Sequence, residues 1–356
     1  MIMKSKFFSL IALCAMMSFS FTSCSKDDDE PLVEPVVPSE YVYVLNSGNM
    51  GNNNASLSMY DMEDGTVVKD IFEAQNGRRL GDTGQDIIVY GSKMYIAVYG
   101  ESTIEVTDLE AKSISQIKTE GQPRFFTAHD GKVYVTYHNG YVARLDTTSL
   151  AVNAKVQVGR NPEQLTVSGN KLYVANSGGL DYNTETGYDK TVSVVDLSTF
   201  TETKKIEVVL NPTEIESDAA GNVYVISKGN YWDIPNTLQK INIQTDAVTV
   251  VSGIDGTIFT TVGNTLYTIY SQWGVDEIFY YSYNTSSNSV LSSNFIGSTK
   301  ITGPYQINYD SNCESLFIST SDYTNSGDVY IFDKTNTFVN KFEAGLNPMK
   351  AVYVKK

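Results

Sequence analysis

Residues 171–178 read KLYVANSG, and residues 192–197 read VSVVDL; together they are the clearest copy of a pattern that recurs through this chain. Six further copies of the first half are centred on Tyr43, Tyr95, Tyr134, Tyr224, Tyr267 and Phe317. The second half recurs at residues 57–61, 104–108, 142–146, 238–242, 278–281 and 329–333. Several short β-rich runs repeated every ~40–50 residues are typical of a β-propeller. The seven copies predict seven blades.

The fourth copy shows how each blade is built. Residues 162–167 are predicted to form the innermost strand A, residues 171–176 strand B, residues 191–197 strand C and residues 201–208 the outer strand D. Strands A and B are apolar at nearly every position, as expected when blades pack face to face on both sides. The sequence therefore predicts an all-β fold, a seven-bladed β-propeller with four antiparallel strands per blade.

The two ends of the repeat array complement each other. Residues 347–354 copy the strand A pattern of residues 161–167, but no strand B follows them. Residues 41–46 read as a strand B with no strand A before it. We therefore expect residues 348–354 to supply strand A of the first blade and to close the ring, which leaves no long unpaired sheet edge.

Residues 1–23 are predicted to be a lipoprotein signal peptide. Two lysines precede an apolar run over residues 7–19, which is short for a membrane span. The run ends in FTSC at residues 21–24, which resembles the lipobox of bacterial lipoproteins, where the cysteine becomes the lipidated first residue. Cys24 is therefore the predicted lipidation site. The alternative is an ordinary secretory peptide that is cut nearby, with the cysteine incidental.

Residues 24–40 are predicted to be a solvated tether. They contain the acidic run KDDDE at residues 26–30 and three prolines, and such a segment cannot bury apolar surface. An acidic run directly after a lipidated cysteine resembles the surface-export signal of Bacteroidota lipoproteins. We therefore expect an outer-membrane, lipid-anchored protein exposed at the cell surface, with residues 41–356 forming the propeller.

Charge and cysteine content exclude other classes. A net charge of −15 argues against DNA or RNA as partner, because phosphate neutralisation requires basic surfaces. After removal of the signal peptide, Cys24 and Cys313 are the remaining cysteines, so lipidation of the first leaves no disulfide. Cys313, in a turn before the last copy, is expected to be structural.

Loops on one face of the ring are the places where function is expected. In a propeller, the B–C and D–A loops emerge together around the central channel. The D–A loops repeat a Gly or Asn before Pro, which indicates turn chemistry. The B–C loops vary, and Trp232 and Trp273, the two tryptophans of the chain, fall in those of adjacent blades. Each indole covers either a ligand or its own loop, and the sequence leaves both readings open.

Binding sites combine aromatic platforms with a few directed polar groups. Loop geometry gives the following candidate ligand contacts: Asn53, Arg79, Tyr99, Arg124, Tyr137, Asp181, Tyr182, Tyr231, Trp232, Tyr270, Trp273, Tyr305 and Tyr323.

Catalysis has little support in the sequence. The two histidines, His129 and His138, flank one strand and are expected at its opposite ends, away from any zinc-type ligand cluster. No nucleophile elbow, phosphate loop or dinucleotide fingerprint occurs. Residues 181–187, DYNTETG, alternate oxygen ligands as calcium loops do, but the glycine is one place late and no distal Glu follows. We predict no catalytic residue, no metal and no cofactor.

The copies at residues 172–176 and 191–196 resemble the YVTN repeat of YncE-like seven-bladed propellers. A closer resemblance is to the BtuG-like cobalamin-binding surface lipoproteins of Bacteroidota. It is carried by YVLNSG at 43–48, NNNASL at 52–57, NGRRLGDT at 76–83, GYVARLDTTSL at 140–150, VGRNPEQ at 158–164, NSGGLD at 176–181 and GNY at 229–231. The resemblance implies that the loop face holds cobalamin (vitamin B12) and passes it to a TonB-dependent outer-membrane transporter.

A corrinoid is chemically compatible with the loop residues. Its amide side chains require Asn, Gln and backbone partners, and its hydrocarbon faces require aromatic cover. We therefore expect a non-enzymatic binder of a corrinoid, with cobalamin as transported ligand. The first alternative is a glycan-binding or adhesion propeller that uses Trp232 and Trp273 as sugar platforms. A lyase or hydrolase with His138 as its acid–base group ranks last.

Overall fold

The computed structural model describes residues 39–272 and 274–355. These residues form seven four-stranded antiparallel sheets, which confirms the predicted propeller. The strands of each blade are given from A to D. Blade 1 contains Pro348–Lys355, Glu40–Asn46, Ser56–Asp61 and Val67–Val68; blade 2 contains Gly84–Tyr90, Lys93–Val98, Thr103–Thr107 and Ser113–Lys118; blade 3 contains Pro123–His129, Lys132–Tyr137, Tyr141–Asp146 and Val152–Gln157; blade 4 contains Pro162–Ser168, Lys171–Asn176, Thr191–Asp196 and Thr201–Glu207. Blade 5 contains Pro212–Ser217, Val223–Ser227, Thr237–Ile241 and Val248–Val250; blade 6 contains Ile258–Val262, Thr265–Tyr270, Phe279–Asn284 and Ser289–Ser292; blade 7 contains Pro304–Asp310, Ser315–Thr320, Ser326–Phe332 and Phe338–Leu346.

Little else is regular. One α-helix, Ile71–Asn76, follows the short strand D of blade 1, and a 3-10 turn spans Gly179–Asp181. Within the described ranges no helix has the length and apolarity needed to cross a membrane. The predicted signal peptide and the predicted lipidation of Cys24 lie outside the described residues.

The core consists of apolar layers between neighbouring blades. Between blades 3 and 4, for example, Tyr134 and Val142 pack against Leu172 and Val174. Successive residues of a strand point to opposite faces of its sheet, and each face here meets another blade. This two-sided burial explains why the B strands are buried at consecutive positions, whereas the A strands, predicted to be equally apolar, carry polar residues such as Gln164 and Glu214. The A strands of neighbouring blades contact one another around the axis.

Blade 1 is completed from both ends of the chain, as predicted. The C-terminal strand Pro348–Lys355 pairs antiparallel with Glu40–Asn46, with Tyr43 opposite Val352. This pairing closes the ring.

The repeated Asp or Asn at the end of each strand C has a structural role. In every blade its side-chain oxygen accepts a hydrogen bond from the backbone N–H two residues further on, which stabilises the C–D turn. The seven residues are Asp61, Asp108, Asp146, Asp196, Asn242, Asn284 and Asp333.

The Asn of the KLYVAN stretch ties three segments together. Asn176 donates from Nδ2 to Oγ1 of Thr191 at 3.0 Å and to Oγ of Ser193 at 2.9 Å. Its Oδ1 accepts the backbone N–H of Gly159, at 3.1 Å, from the D–A loop. A Cβ at Gly159 would collide with the Asn176 side chain, so glycine is required there. In blade 1, Asn46 makes the equivalent three bonds.

Replacing this buried asparagine is expected to be costly. Asn176→Ala leaves the hydroxyls of strand C and the Gly159 N–H without their partner, at a loss of about 3 kcal/mol in the free energy of unfolding. Asn139→Ala is the matched control, because Asn139 is exposed in the next blade's loop and makes one bond, to the Glu120 carbonyl. Chemical denaturation of both variants measures the difference; equal losses would contradict this account.

Candidate functional site

The loop face of the ring opens into a cavity on the propeller axis. Each strand A begins, and each strand B ends, at this face; in blade 4, Pro162 lies opposite Asn176. The cavity, called the axial pocket below, has a volume of about 320 Å³. It is lined by Ser47, Gln85, Arg124, Phe125, Glu163, Thr213, Glu214, Lys228, Tyr305, Gln306 and Met349. A smaller cavity of about 110 Å³ shares several of these residues and continues along the A strands.

One side of the axial pocket is held by an ion pair. Arg124 donates from Nε to Oε2 of Glu163 at 2.8 Å and from Nη1 to Oε1 of Gln85 at 2.6 Å. Its guanidinium carbon lies 5.4 Å from the centre of the Tyr99 ring, which is a cation–π distance. Burial acts to raise the pKa of the Glu163 carboxyl, but the charge of Arg124 and the contact with His138 lower it below its usual range. Glu163 is therefore a carboxylate in this pocket.

His138 contacts this network without lining the axial pocket. Its Nδ1 lies 3.0 Å from the Tyr99 hydroxyl, and its Nε2 lies 3.4 Å from Oε1 of Glu163. The side chain is buried, and it is not among the residues that line the axial pocket. The imidazole is placed to position Tyr99 and Glu163 rather than to meet a ligand directly.

Glu214 and Lys228 lie on another side of the pocket. Oε2 of Glu214 accepts a hydrogen bond from Nε2 of Gln164 at 2.6 Å, and Nζ of Lys228 donates to the carbonyl of Thr257. Burial raises the pKa of the Glu214 carboxyl and lowers the pKa of the Lys228 ammonium, while each charge opposes the shift of the other. The walls thus carry two cationic and two anionic side chains.

A third carboxyl, that of the half-buried Glu216, lines the smaller cavity. Glu216 accepts the backbone N–H of Thr261 at 2.6 Å and the Thr261 hydroxyl at 2.9 Å. Burial nevertheless raises the pKa of Glu216 from 4.5 to about 7, and Lys350 only partly offsets it.

This shift predicts a pH dependence of stability. The folded state holds the Glu216 proton more tightly than the unfolded chain does. The contribution of the protonated Glu216 carboxyl to the free energy of unfolding is therefore full below pH 4.5 and is lost as the pH rises through about 7. At pH 8 the Glu216→Gln variant is expected to be more stable than the wild type by about 2 kcal/mol, and therefore to unfold at a higher temperature. At pH 4 the two proteins are expected to be equally stable. Thermal melts at both pH values test this, with exposed Glu207→Gln as control. A constant difference between the two pH values would contradict it.

Exposed apolar side chains stand on the loop face, the same face as the pocket, and are called the rim below. They all belong to B–C loops: Met50, Leu180, Tyr182, Tyr231, Trp232, Val275 and Tyr323. The Trp232 side chain is 93% exposed, so it does not cover its own loop. Tyr231 and Tyr323 have positive φ values of 60° and 63°, an uncommon conformation for bulky residues. Leu150 and Phe200, in C–D turns on the opposite face, share this conformation, so it belongs to the tight turns of the fold.

These loops are ordered by their own side chains. Oδ1 of Asn230 accepts the backbone N–H groups of Trp232, Asp233 and Ile234. The Asp322 side chain accepts two N–H groups in the corresponding loop of blade 7. A rim fixed in this way loses little conformational entropy on binding.

The structure brings several predicted contacts together. Arg124 and Tyr305 line the axial pocket, and Tyr99 packs against Arg124. The Tyr323 ring meets Tyr305 edge-on at 5.7 Å between centroids, and Tyr231 meets Tyr188 at 6.4 Å. Burial raises the pKa of Tyr305 to about 12, so its hydroxyl stays protonated. Tyr182 and Trp232 lie on the surrounding rim.

Four other predicted contacts do not line the axial pocket. Asn53 and Arg79 contact each other at 3.4 Å beside blade 1, where Arg79 lines a separate cavity of about 280 Å³. Asp181 is ion-paired with Arg160, and Tyr270 donates to Gln272 within its own loop. Trp273 lies outside the described residues.

Tyr137 requires a correction. Its side chain is only 1% exposed and packs in the core between blades 2 and 3, so it cannot contact a ligand on the loop face. The calcium reading of residues 181–187 is also unsupported, because the Asp181 carboxylate is held by Arg160. Within the described residues, no cluster of three or more His, Cys, Asp or Glu side chains could hold a metal.

Some of the charged residues of the axial pocket were not predicted from the loops. Glu163 and Glu214 stand near the start of a strand A, and Lys228 directly follows a strand B. The second and third positions of strand A are polar in most copies, for example Gln85 and Asp86 in blade 2, and a comparison of the seven copies could have given this signal.

Seven four-stranded blades around a polar axial pocket define the class of this protein, a seven-bladed β-propeller. The chain belongs to the family described as "Domain of unknown function (DUF5074)", which matches residues 40–344. No curated protein is significantly similar to it in sequence.

Solved structures share the fold at low identity. A candidate 6-phosphogluconolactonase from Bacteroides fragilis NCTC 9343 superposes with a TM-score of 0.62 at 12% identity, over 90% of this chain and 100% of that one. Hydrazine synthase of Kuenenia stuttgartiensis gives 0.60 at 14% identity, over 75% and 93%. The Pan2 WD40 domain of Neurospora crassa gives 0.53 at 9% identity, over 74% and 79%. These similarities concern the fold alone, and the YncE-like and BtuG-like assignments stay predictions.

Proposed function

We propose that this protein is a non-enzymatic lipoprotein of the outer membrane that captures a corrinoid such as cobalamin on its loop face. It then passes the ligand to a TonB-dependent transporter. The observation that carries the binding role is the ordered, exposed aromatic rim around a buried polar pocket. The lipobox-like FTSC at residues 21–24 and the acidic run after it support the membrane anchor.

Features of the loop face support a corrinoid as the ligand. A flat macrocycle with apolar faces can lie on aromatic side chains such as Tyr231, Trp232 and Tyr323, which are exposed in the B–C loops of blades 5 and 7. Amide groups at its edge find donors and acceptors in the axial pocket below. The nearly neutral ligand also avoids repulsion by a chain with a net charge of −15.

Co-elution with a coloured ligand tests the proposal. The protein without residues 1–30 is incubated with cyanocobalamin, desalted, and its visible absorbance compared with its protein content. We expect a coloured protein fraction with about one ligand per chain. A colourless fraction at micromolar concentrations of both would contradict the function.

The exposure of Trp232 also favours a second candidate, a glycan-binding propeller in which the indole is a sugar platform. A glycan array separates the two. Signals that disappear in Trp232→Ala, together with a colourless fraction in the co-elution experiment, would support glycan binding instead.

A further inference from the structure

Two groups of opposite charge line the axial pocket: Glu214, which is buried, and Lys228, which is half-buried. Within the described part of the chain, Glu214 and Lys228 form no direct ion pair. The Glu214 carboxylate accepts one hydrogen bond from Gln164 on Oε2, and Lys228 donates to the Thr257 carbonyl. A carboxylate has a second oxygen and an ammonium has three donors, so each group keeps hydrogen-bonding capacity.

The pocket is balanced in charge and incompletely satisfied. On the other side, Arg124 and Glu163 form an ion pair. An additional charge placed here would be attracted by one of these groups and repelled by the other, so the cost of burying it would not be offset. Thr213 also lines the pocket, and its hydroxyl is buried and has no hydrogen-bond partner among the described residues. Buried polar groups of folded proteins normally have a partner, and a ligand can supply it.

Resting on the proposed capture of a corrinoid, we infer that the axial pocket is the subsite for one uncharged primary amide arm of the ligand. The Lys228 ammonium donates to the amide oxygen, and the Glu214 carboxylate accepts from the amide N–H. Phe125 and Met349 contact the methylene groups of the arm. A carboxylate arm is repelled by Glu214, and an ammonium arm is repelled by Lys228. These two residues therefore determine selectivity for an amide.

Ligands in which a single side-chain amide has been hydrolysed chemically provide the test. Cyanocobalamin is compared with its separated monocarboxylic acids, in each of which one side-chain amide is a carboxylate. We expect at least one isomer to bind the wild type at least tenfold more weakly than the parent. In the Glu214→Gln variant, the ratio of the dissociation constants of that isomer and of the parent should fall at least tenfold. The repelling charge is then gone, and Lys228 is left to pair with the carboxylate. Glu207→Gln, exposed on strand D of blade 4, should keep the wild-type ratio.

An unchanged ratio in Glu214→Gln, with the parent still bound, overturns the subsite but not the function. If cyanocobalamin itself fails to bind, the function fails, and a small probe decides the subsite separately. Saturation-transfer NMR with propionamide and propionate should then give a signal for the amide alone, which is lost in Lys228→Met. Equal signals for both probes, or none for propionamide, would overturn the subsite.

Discussion

A chain that ends at Asn347 is expected to lose the whole propeller fold rather than only its last strand. The missing strand buries Met349, Val352, Tyr353 and Val354 against blade 1 and its neighbours. Burial of such side chains stabilises by about 1.5–3 kcal/mol each, so their loss is comparable with a total stability of about 5–15 kcal/mol. Truncation also opens the edge of Glu40–Asn46, which invites aggregation. Circular dichroism and size-exclusion chromatography measure the outcome.

A circular permutant shows whether the loss of fold is caused by the missing strand or by the change at the end of the chain. Residues 348–355 are moved in front of Glu40 and joined through an Asn-Gly turn, so that strands A and B of blade 1 form a hairpin as in the other blades. The permutant should recover a monomeric, cooperatively melting protein. A truncated chain that melts within a few degrees of the wild type would contradict ring closure as the source of stability.

The double variant Tyr231→Ala, Trp232→Ala is expected to weaken corrinoid binding at least thirtyfold. Central aromatic residues carry about 2 kcal/mol or more each in many binding sites, and coupling between neighbours reduces their sum. Both side chains are largely exposed, so the melting temperature should stay that of the wild type. Titration followed by visible absorbance gives the affinity.

The matched control lies on the outer edge of blade 7. Phe338→Ala, Val339→Ala removes two exposed apolar side chains from a strand D, away from the loop face. That variant should bind like the wild type. Equal affinities for both double variants would place the ligand elsewhere.

Most of the fold could be predicted from the sequence because blade packing imposes one pattern seven times. The predicted strands of blade 4 agree with the structure to within one residue, and the closing strand lies where the unpaired copies placed it. Asp196, which stabilises the C–D turn, and Asn176, which bridges three segments, both belong to the sequence repeat, so the repeat marks their positions.

The site was less predictable because loop membership does not determine where a side chain points. Tyr99 lies one residue beyond its strand B and reaches Arg124, whereas Tyr137 is the last residue of its strand B and points into the core. Both faces of a strand meet a neighbouring blade, so Tyr137 is buried within its strand, whereas Tyr99 lies just beyond the end of its strand, at the loop face. Asn53 and Arg79 show the second difficulty: they contact each other, Arg79 lines a separate cavity, and neither residue lines the axial pocket.

Hydrogen–deuterium exchange with and without cyanocobalamin tests the central claim most directly, because it shows where the ligand lies. We predict slower exchange in the B–C loops of blades 4, 5 and 7, which contain Tyr182, Trp232 and Tyr323, and at the start of strand A in blades 3 to 5. The C–D turns on the opposite face should be unchanged. Protection of those turns, or no protection at saturating ligand, would contradict a ligand site on the loop face.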